Sequence, residues 1–337
     1  LKTKILITGG AGYIGSHTVV SLLEAGYEPI IADNYCNSEE WILNQLYRLT
    51  GREIKNYTVD CTNLSDLDYV FKKEQFGGVI HFSALKAVGG SVLEPLNYYK
   101  NNIGSLLNVI ELMAKYDVPN LVFSSSCTVY GEADYLPVNE QHPIKTAESP
   151  YGSTKQMCEQ IINDCLKSTK LKRAVILRYF NPVGAHPSGL IGELPLGTPN
   201  NLIPFITQTA AGIREKLSIF GNDYNTKDGT CVRDYIHVVD LAEAHVKALD
   251  YLDLNKPSVS LNIGTGKGSS VLETVKAFER VNNLKLNYVI GDKREGDIEQ
   301  IYAETNLAEQ TLGWKTQLSL DDAMRDAWKW QQYLDTK

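Results

Sequence analysis

The sequence predicts an α/β protein in which a doubly wound parallel sheet is followed by a smaller mixed α/β unit. Three observations carry that expectation. Through the first 180 residues, short apolar runs alternate with helical patterns, the order that builds right-handed strand–helix–strand units. A glycine cluster separates the first apolar run from the first helix. After Phe180 the texture changes: NPVGAHPSGLIGELPLGTPNN spends Gly, Pro and Asn freely over about twenty residues, a length that marks a functional loop.

The elements follow in order. KILIT (4–8) reads as a strand, Tyr13 to Ala25 as a helix stopped by Gly26, and EPIIAD (28–33) as the next strand. Further strands fall at 54–59, 79–83, 120–125 and 173–179, with helical patterns between them, notably at 95–115 and 150–168. Beyond the loop come a helix at 202–216 and the short strand LSIFG. YIHVVDLAEAHVKALDYL, with LNIG behind it, then reads as a helix and strand rejoining the parallel sheet. Residues 266–337 read as mixed helices with one strand. The expected division is a domain over 1–180, joined by 234–265, and an interleaved second domain over 181–337.

Composition narrows the function. With 337 residues, 43% hydrophobic and 22% charged, the chain belongs with ordinary globular proteins. A net charge of -7 without a basic cluster argues against nucleic-acid binding, so a polyanionic small ligand would need a few local cations. LKTKILITGG is too short in its apolar run for a signal core or a membrane span, so a cytoplasmic protein without membrane contact is expected. Six scattered cysteines (36, 61, 127, 158, 165, 231) lack C-x-x-C spacing, and the six histidines form no H-x-x-H. Reduced thiols and no metal site follow.

TGGAGYIGSH (8–17) satisfies G-x-G-x-x-G at Gly10, Gly12 and Gly15, and G-x-x-G-x-x-G at Gly9, Gly12 and Gly15. It follows an apolar strand and opens a helix, the context a dinucleotide-binding loop of the Rossmann type requires. Asp33 ends the next strand, eighteen residues beyond Gly15, where a carboxylate can accept from an adenosine ribose. No Arg follows in DNYCNS, so NAD is expected rather than NADP. Asp60 closes the third strand, where it could contact adenine or serve only as a turn residue.

Ligands of such sheets sit beyond the carboxyl ends of the strands. The fifth strand ends in SSSCTVYG (124–131), which delivers Ser126 and Thr128 to that edge, and the helix carrying SPYGSTK (149–155) comes next. Tyr151 and Lys155, four apart, share one helical face, so the ammonium can sit beside the phenol and favour its ionised form. Each residue alone has a mundane reading as turn hydroxyl, packing or surface charge. Together beside a dinucleotide they make a proton-handling group for oxidising an alcohol.

TGGAGYIGSH, DNYCNS, HFSALKAVGGS, SSSCTVYGE, SPYGSTK, LRYFNPVGAHPSG, PNNLIPF, FGNDYNTKDGTCVRDYIHVVDLAEAH and REGD together resemble the extended short-chain dehydrogenase/reductase family, within it the branch that epimerises UDP-hexoses at C4. The resemblance runs to residue 297 and implies reversible interconversion of UDP-galactose and UDP-glucose with tightly bound NAD. Tyr151 would take the proton of the sugar 4-hydroxyl, Ser126 would bond that oxygen, and Lys155 would bind the nicotinamide ribose. It further implies cofactor contacts at Tyr13, Ile14, Asn34, Asn37, Ser38, Asp60, Cys61, Phe82, Ala84, Lys86, Asn101, Tyr179 and Phe180. The implied substrate contacts are Lys86, Thr128, Asn181, Asn201, Leu202, Phe220, Arg233, Arg294, Asp297 and Ile301, with the two arginines meeting the pyrophosphate. A homodimer packed through 95–115 and 150–168 is implied as well.

Ile301 is intermediate in size at a position that in the family lines the sugar pocket, which implies some activity on UDP-N-acetylhexosamines. Two enzyme alternatives stay open, a UDP-glucuronate 4-epimerase and a nucleotide-sugar 4,6-dehydratase. The dehydratase needs carboxyl groups after the active-site hydroxyl, where this chain has Cys127 and Thr128. A non-catalytic NAD-sensing regulator would typically lack Tyr151 or Lys155. His237 and His245 read as structural.

Overall fold

The architecture comes from a computed structural model that describes residues 2–294 and 297–336. Glu295 and Gly296, the centre of the REGD motif, lie outside the described residues. In chain order the first half runs β1 (Lys4–Thr8), α1 (Tyr13–Glu24), β2 (Glu28–Asp33), α2 (Ile42–Thr50), β3 (Lys55–Thr58), α3 (Leu64–Lys73) and β4 (Gly78–His81). It continues with α4 (Val88–Leu93), α5 (Pro95–Lys115), β5 (Asn120–Ser126), α6 (Pro150–Lys167) and β6 (Arg173–Tyr179). Then come β7 (Asn181–Val183), α7 (Leu202–Ala210), β8 (Leu217–Phe220), β9 (Val232–Arg233), β10 (Tyr235–His237), α8 (Val238–Asp253) and β11 (Val259–Ile263). The chain closes with β12 (Ser269–Ser270), α9 (Val271–Asn282), β13 (Tyr288–Gly291), β14 (Gln300–Ile301), α10 (Asn306–Leu312) and α11 (Leu320–Leu334).

Seven strands form one parallel sheet in the order β11-β6-β5-β4-β1-β2-β3. The central strands are buried on both faces, which is why they read as continuous apolar runs rather than alternating ones. Strand order reverses between β1 and β4, the switch point where such sheets bind ligands. One core cluster lies under α1 and α8 and includes Val19, Leu22, Leu177 and Leu249; another lies under α5 and α6 and includes Leu106, Val109, Ile162 and Ile176. A third cluster draws on Val183, Ile206, Ile219, Phe278 and Met324, all from later in the chain.

The return of 259–263 to the parallel sheet appears as expected, with Val259–Ile263 in register with Val175–Tyr179. Two expectations need correction. The helix from 202 ends at Ala210 rather than 216, because Gly212 adopts φ +74 and its N–H turns back to the Thr209 carbonyl. Among the described residues, 266–337 contain three short strands instead of one. β12 and β14 are two residues each and exist only by pairing with β9, so no periodicity announces them.

Candidate active site

The glycine loop connects β1 to α1. Gly9 takes φ +71 and its N–H donates to the Ala32 carbonyl, tying the loop to β2. At Gly15 a Cβ would stand 2.3 Å from the Gly9 carbonyl oxygen, so only glycine lets the helix start this close to the turn. Gly12 occupies the N-cap without a side-chain capping bond, and the first turn has no acidic residue. By contrast Asn63, Ser149, Ser270 and Ser319 cap α3, α6, α9 and α11. The α1 N–H groups therefore fit a pyrophosphate.

Asp33, at the end of β2, is buried and oriented by its own backbone neighbours: Ala11 N–H donates to Oδ2 at 3.0 Å and Tyr35 N–H to Oδ1 at 2.9 Å. Ser38 adds a hydroxyl at 3.3 Å. Burial raises the Asp33 pKa while these donors oppose the rise. Asp60 turns inward on Thr62, whose N–H and hydroxyl donate to Oδ1, while Asn34 takes the Cys36 N–H. Asn37 is exposed. Cys61 is buried against the Ser83 hydroxyl, and Phe82 and Ala84 are half-buried in the segment after β4. Ile14 is half-buried in the first turn of α1, and Asn101 donates to Asn102. Tyr13 spends its hydroxyl on the Gly184 carbonyl at 2.7 Å.

Ser149 caps α6 by accepting the Gly152 N–H, and Pro150 stands at the first helical position. Helix therefore begins just ahead of Tyr151, which puts Tyr151 and Lys155 one turn apart. Both are buried beneath the end of β5, at 8% and 4% exposure. Ser126 and Tyr179 lie close enough to the Tyr151 phenol to act on its pKa in opposite directions. Tyr179 takes the Ser124 hydroxyl at 2.7 Å, and the adjoining Phe180 is buried. The Thr128 hydroxyl is buried without a protein partner, while its N–H donates to Ser126 Oγ.

The expected ammonium sits over the phenol ring, but its hydrogen bond goes elsewhere and burial sets the direction of the phenol's pKa. Lys155 Nζ donates to the Ser124 carbonyl at 2.7 Å and lies 5.9 Å from the centre of the Tyr151 ring. Burial pushes the Tyr151 phenol up, with the nearby Tyr179 adding to the rise and Ser126 opposing it. Burial also lowers Lys155, to about 8. The protein's own groups make Tyr151 a weaker acid, not a stronger one.

On the substrate side, Asn181 heads β7 with its N–H on the Asp234 carbonyl, and Arg233, the residue before Asp234, ends β9. Arg233 donates to the carbonyls of Val232 and Glu299. Arg294 and Asp297, expected at pyrophosphate and ribose respectively, pair with each other through two hydrogen bonds at 2.9 and 3.2 Å. The Arg294 guanidinium also covers the Phe220 ring at 4.6 Å. Ile301 is 3% exposed and packs in one cluster with Cys127 and Phe180. Leu202 is half-buried, and Asn201 and Lys86 both reach Glu193.

Known proteins agree with this geometry. A family model described as GDP-mannose 4,6 dehydratase matches residues 6–327. A UDP-glucose 4-epimerase of Dictyostelium discoideum is 51% identical over 332 residues, covering 98% of this chain and 96% of its own. The chain belongs to the UDP-glucose 4-epimerase family. The UDP-glucose 4-epimerase of Bifidobacterium longum, solved in complex with NAD+ and UDP, superposes with a TM-score of 0.95 at 44% identity, over 98% of each chain. That of Stenotrophomonas maltophila, with NAD and formylated UDP-arabinopyranose, gives 0.96 at 44% identity over 99% of each.

Several residues that support this epimerase-family site carried no local signal. Asn102, buried between α5 and α6, receives the Leu85 N–H and donates to the Leu85 carbonyl and to Thr154 Oγ1, which fixes the segment that bears Lys86. Glu159, one turn after Lys155, forms a buried ion pair with Arg178 at 2.6 Å; Ser125 and Tyr130 complete that network. Asp234 is fully buried and takes four donors, from Thr265, Gly266 and Ala303. His237 caps α8 and faces Asp326, and His245 is buried with Nδ1 bonded to the Leu241 carbonyl. Apart from the helix cap of His237 and the Leu241 carbonyl one turn before His245, these partners are distant in sequence, so the fold reveals them.

Proposed function

We propose that the protein interconverts UDP-galactose and UDP-glucose by transient oxidation and re-reduction at the sugar C4. The convergence of Tyr151, Ser126 and Lys155 at the carboxyl end of β5, beside the glycine loop, carries this reading. The uncapped first turn of α1, with Gly9, Gly12 and Gly15, would hold the NAD pyrophosphate, and Asp33 the adenosine ribose. Bound there, NAD supplies a hydride acceptor and a positively charged ring. Tyr151 Oη takes the 4-hydroxyl proton while Ser126 Oγ holds the same oxygen. Lys155 Nζ has three donors and spends one on Ser124, leaving two for the nicotinamide ribose.

Because burial raises the Tyr151 pKa, its acidification depends on positive charge brought beside it. Turning of the 4-keto sugar before the hydride returns inverts C4. Arg233 and Arg294 would meet the UDP pyrophosphate, and Asn181, Asn201, Leu202 and Phe220 would enclose the sugar and uridine. The matching family model names a dehydratase, but Cys127 and Thr128 follow Ser126 where that chemistry needs carboxyl groups, which supports the epimerase.

The test is purified protein with UDP-galactose and no added cofactor, followed by NMR. UDP-glucose is the expected product, whereas a stable 4-keto-6-deoxy sugar would reveal a dehydratase. Tyr151→Phe should lower turnover about a hundredfold or more while NAD stays bound. Ile301 supports weak activity on UDP-N-acetylhexosamines; no interconversion at high enzyme concentration would refute it. Residues 1–180 with 234–265 would form the nucleotide domain, in keeping with β11 in the main sheet. The exposed Val92, Leu93, Leu96, Leu107 and Met157 along α4, α5 and α6 support a homodimer, which light scattering would detect. No helix among the described residues is long and apolar enough to cross a membrane, consistent with a cytoplasmic enzyme.

A further inference from the structure

We propose that Glu193 is a positioning residue of the substrate site, holding Lys86 from the sheet side and Asn201 from the α7 side in the arrangement that receives the UDP-sugar. The proposal rests on the reading of Lys86 and Asn201 as substrate-binding groups. One carboxylate oxygen does both tasks: Glu193 Oε1 accepts from Lys86 Nζ at 3.1 Å and from Asn201 Nδ2 at 2.6 Å. Asn201 stands at the N-cap of α7, where an Asn ordinarily caps its own helix, yet it makes no capping bond. Its amide is committed to Glu193 instead.

The loop that carries Glu193 is fixed from behind. Trp330 Nε1 donates to the Glu193 carbonyl at 2.9 Å. At Gly192 a Cβ would lie 2.5 Å from the Trp330 ring, so backbone and indole are in direct contact. Trp330 itself stacks on Trp41 and on Tyr333. Glu193 is therefore anchored, while Lys86, whose side chain is 48% exposed on a flexible four-carbon stem, is not. A bare carboxylate would repel an anionic diphosphate sugar. Paired with Lys86 it is neutralised, and the ammonium keeps two further donors for a ligand. A half-exposed ion pair of this kind adds little to stability, so its contribution lies in orientation.

The test uses the NAD-loaded protein as purified, with Glu193→Ala, Glu193→Gln, Lys86→Met and the double variant of Glu193→Ala with Lys86→Met. For Glu193→Ala the KM for UDP-galactose should rise about tenfold or more, as expected for losing a charge-assisted hydrogen bond. Its kcat should fall less than about threefold, with bound NAD unchanged. Glu193→Gln keeps an acceptor for Asn201 and should fall between. The double variant should lose clearly less than the product of the two single losses, because Glu193 acts in part through Lys86 and in part through Asn201. An unchanged KM in an active Glu193→Ala protein, or full additivity with Lys86→Met, overturns the proposal and leaves the epimerase reading intact. An inactive unaltered protein overturns both.

Discussion

Lys155→Met should make folding stability respond differently to pH, and the size follows from the environment of the ammonium. Burial lowers Lys155 from 10.5 to about 8 in the folded protein. The unfolded chain regains a value near 10.5, so between pH 8 and 10.5 it holds a proton that the folded chain has released. Stability therefore rises with pH across that window. At about 1.4 kcal/mol for each pH unit, the gap amounts to about 3 kcal/mol. The bond to the Ser124 carbonyl and the packing lost in the variant shift the curve as a whole and cancel from its slope. Urea denaturation of both proteins, freed of nucleotide so that cofactor affinity does not enter, should be run at pH 7, 8.5 and 10. The unaltered protein should gain about 3 kcal/mol on Lys155→Met over that range. Parallel pH curves, or a gain in the opposite direction, would mean that Lys155 does not titrate near 8 in the folded protein.

Two other substitutions test the scaffold around the site. Gly15→Ala puts a methyl group 2.3 Å from the Gly9 carbonyl oxygen and 2.8 Å from Gly10 Cα. It should cost about 1–3 kcal/mol of stability and strip the purified protein of its nucleotide, read from the absorbance ratio at 260 and 280 nm. Glu159→Gln leaves the Arg178 guanidinium buried without its counter-charge and should cost about 3–5 kcal/mol in urea denaturation. Replacing both residues by Met should cost clearly less than the single change; an equal or larger loss would contradict the account of the pair.

What could be read from the sequence was local. EPIIAD, RAVILRY and the helix at 95–115 announce their own limits, because Gly26, Pro95 and uninterrupted apolar runs act on immediate neighbours. The glycine loop and the Tyr151–Lys155 spacing belong to that class, since both encode a turn of helix. Whatever is decided between distant segments was hidden. β12 and β14 depend on β9, and Glu193 depends on Lys86 and Trp330. Lys155 illustrates the boundary well. The i,i+4 spacing gives the right helical face, but the partner of its ammonium is a carbonyl on β5, thirty-one residues earlier.

The run Ser124–Ser125–Ser126 shows how little a letter says about its duty. In the pleat of β5 alternate side chains go to opposite layers, so Ser125 meets Glu159 under α6 while Ser124 meets Tyr179 on the other side. Ser126, where the strand runs out, meets Tyr151. Three identical hydroxyls thus take three different partners according to address alone. Replacing them one at a time by alanine should give three unrelated defects.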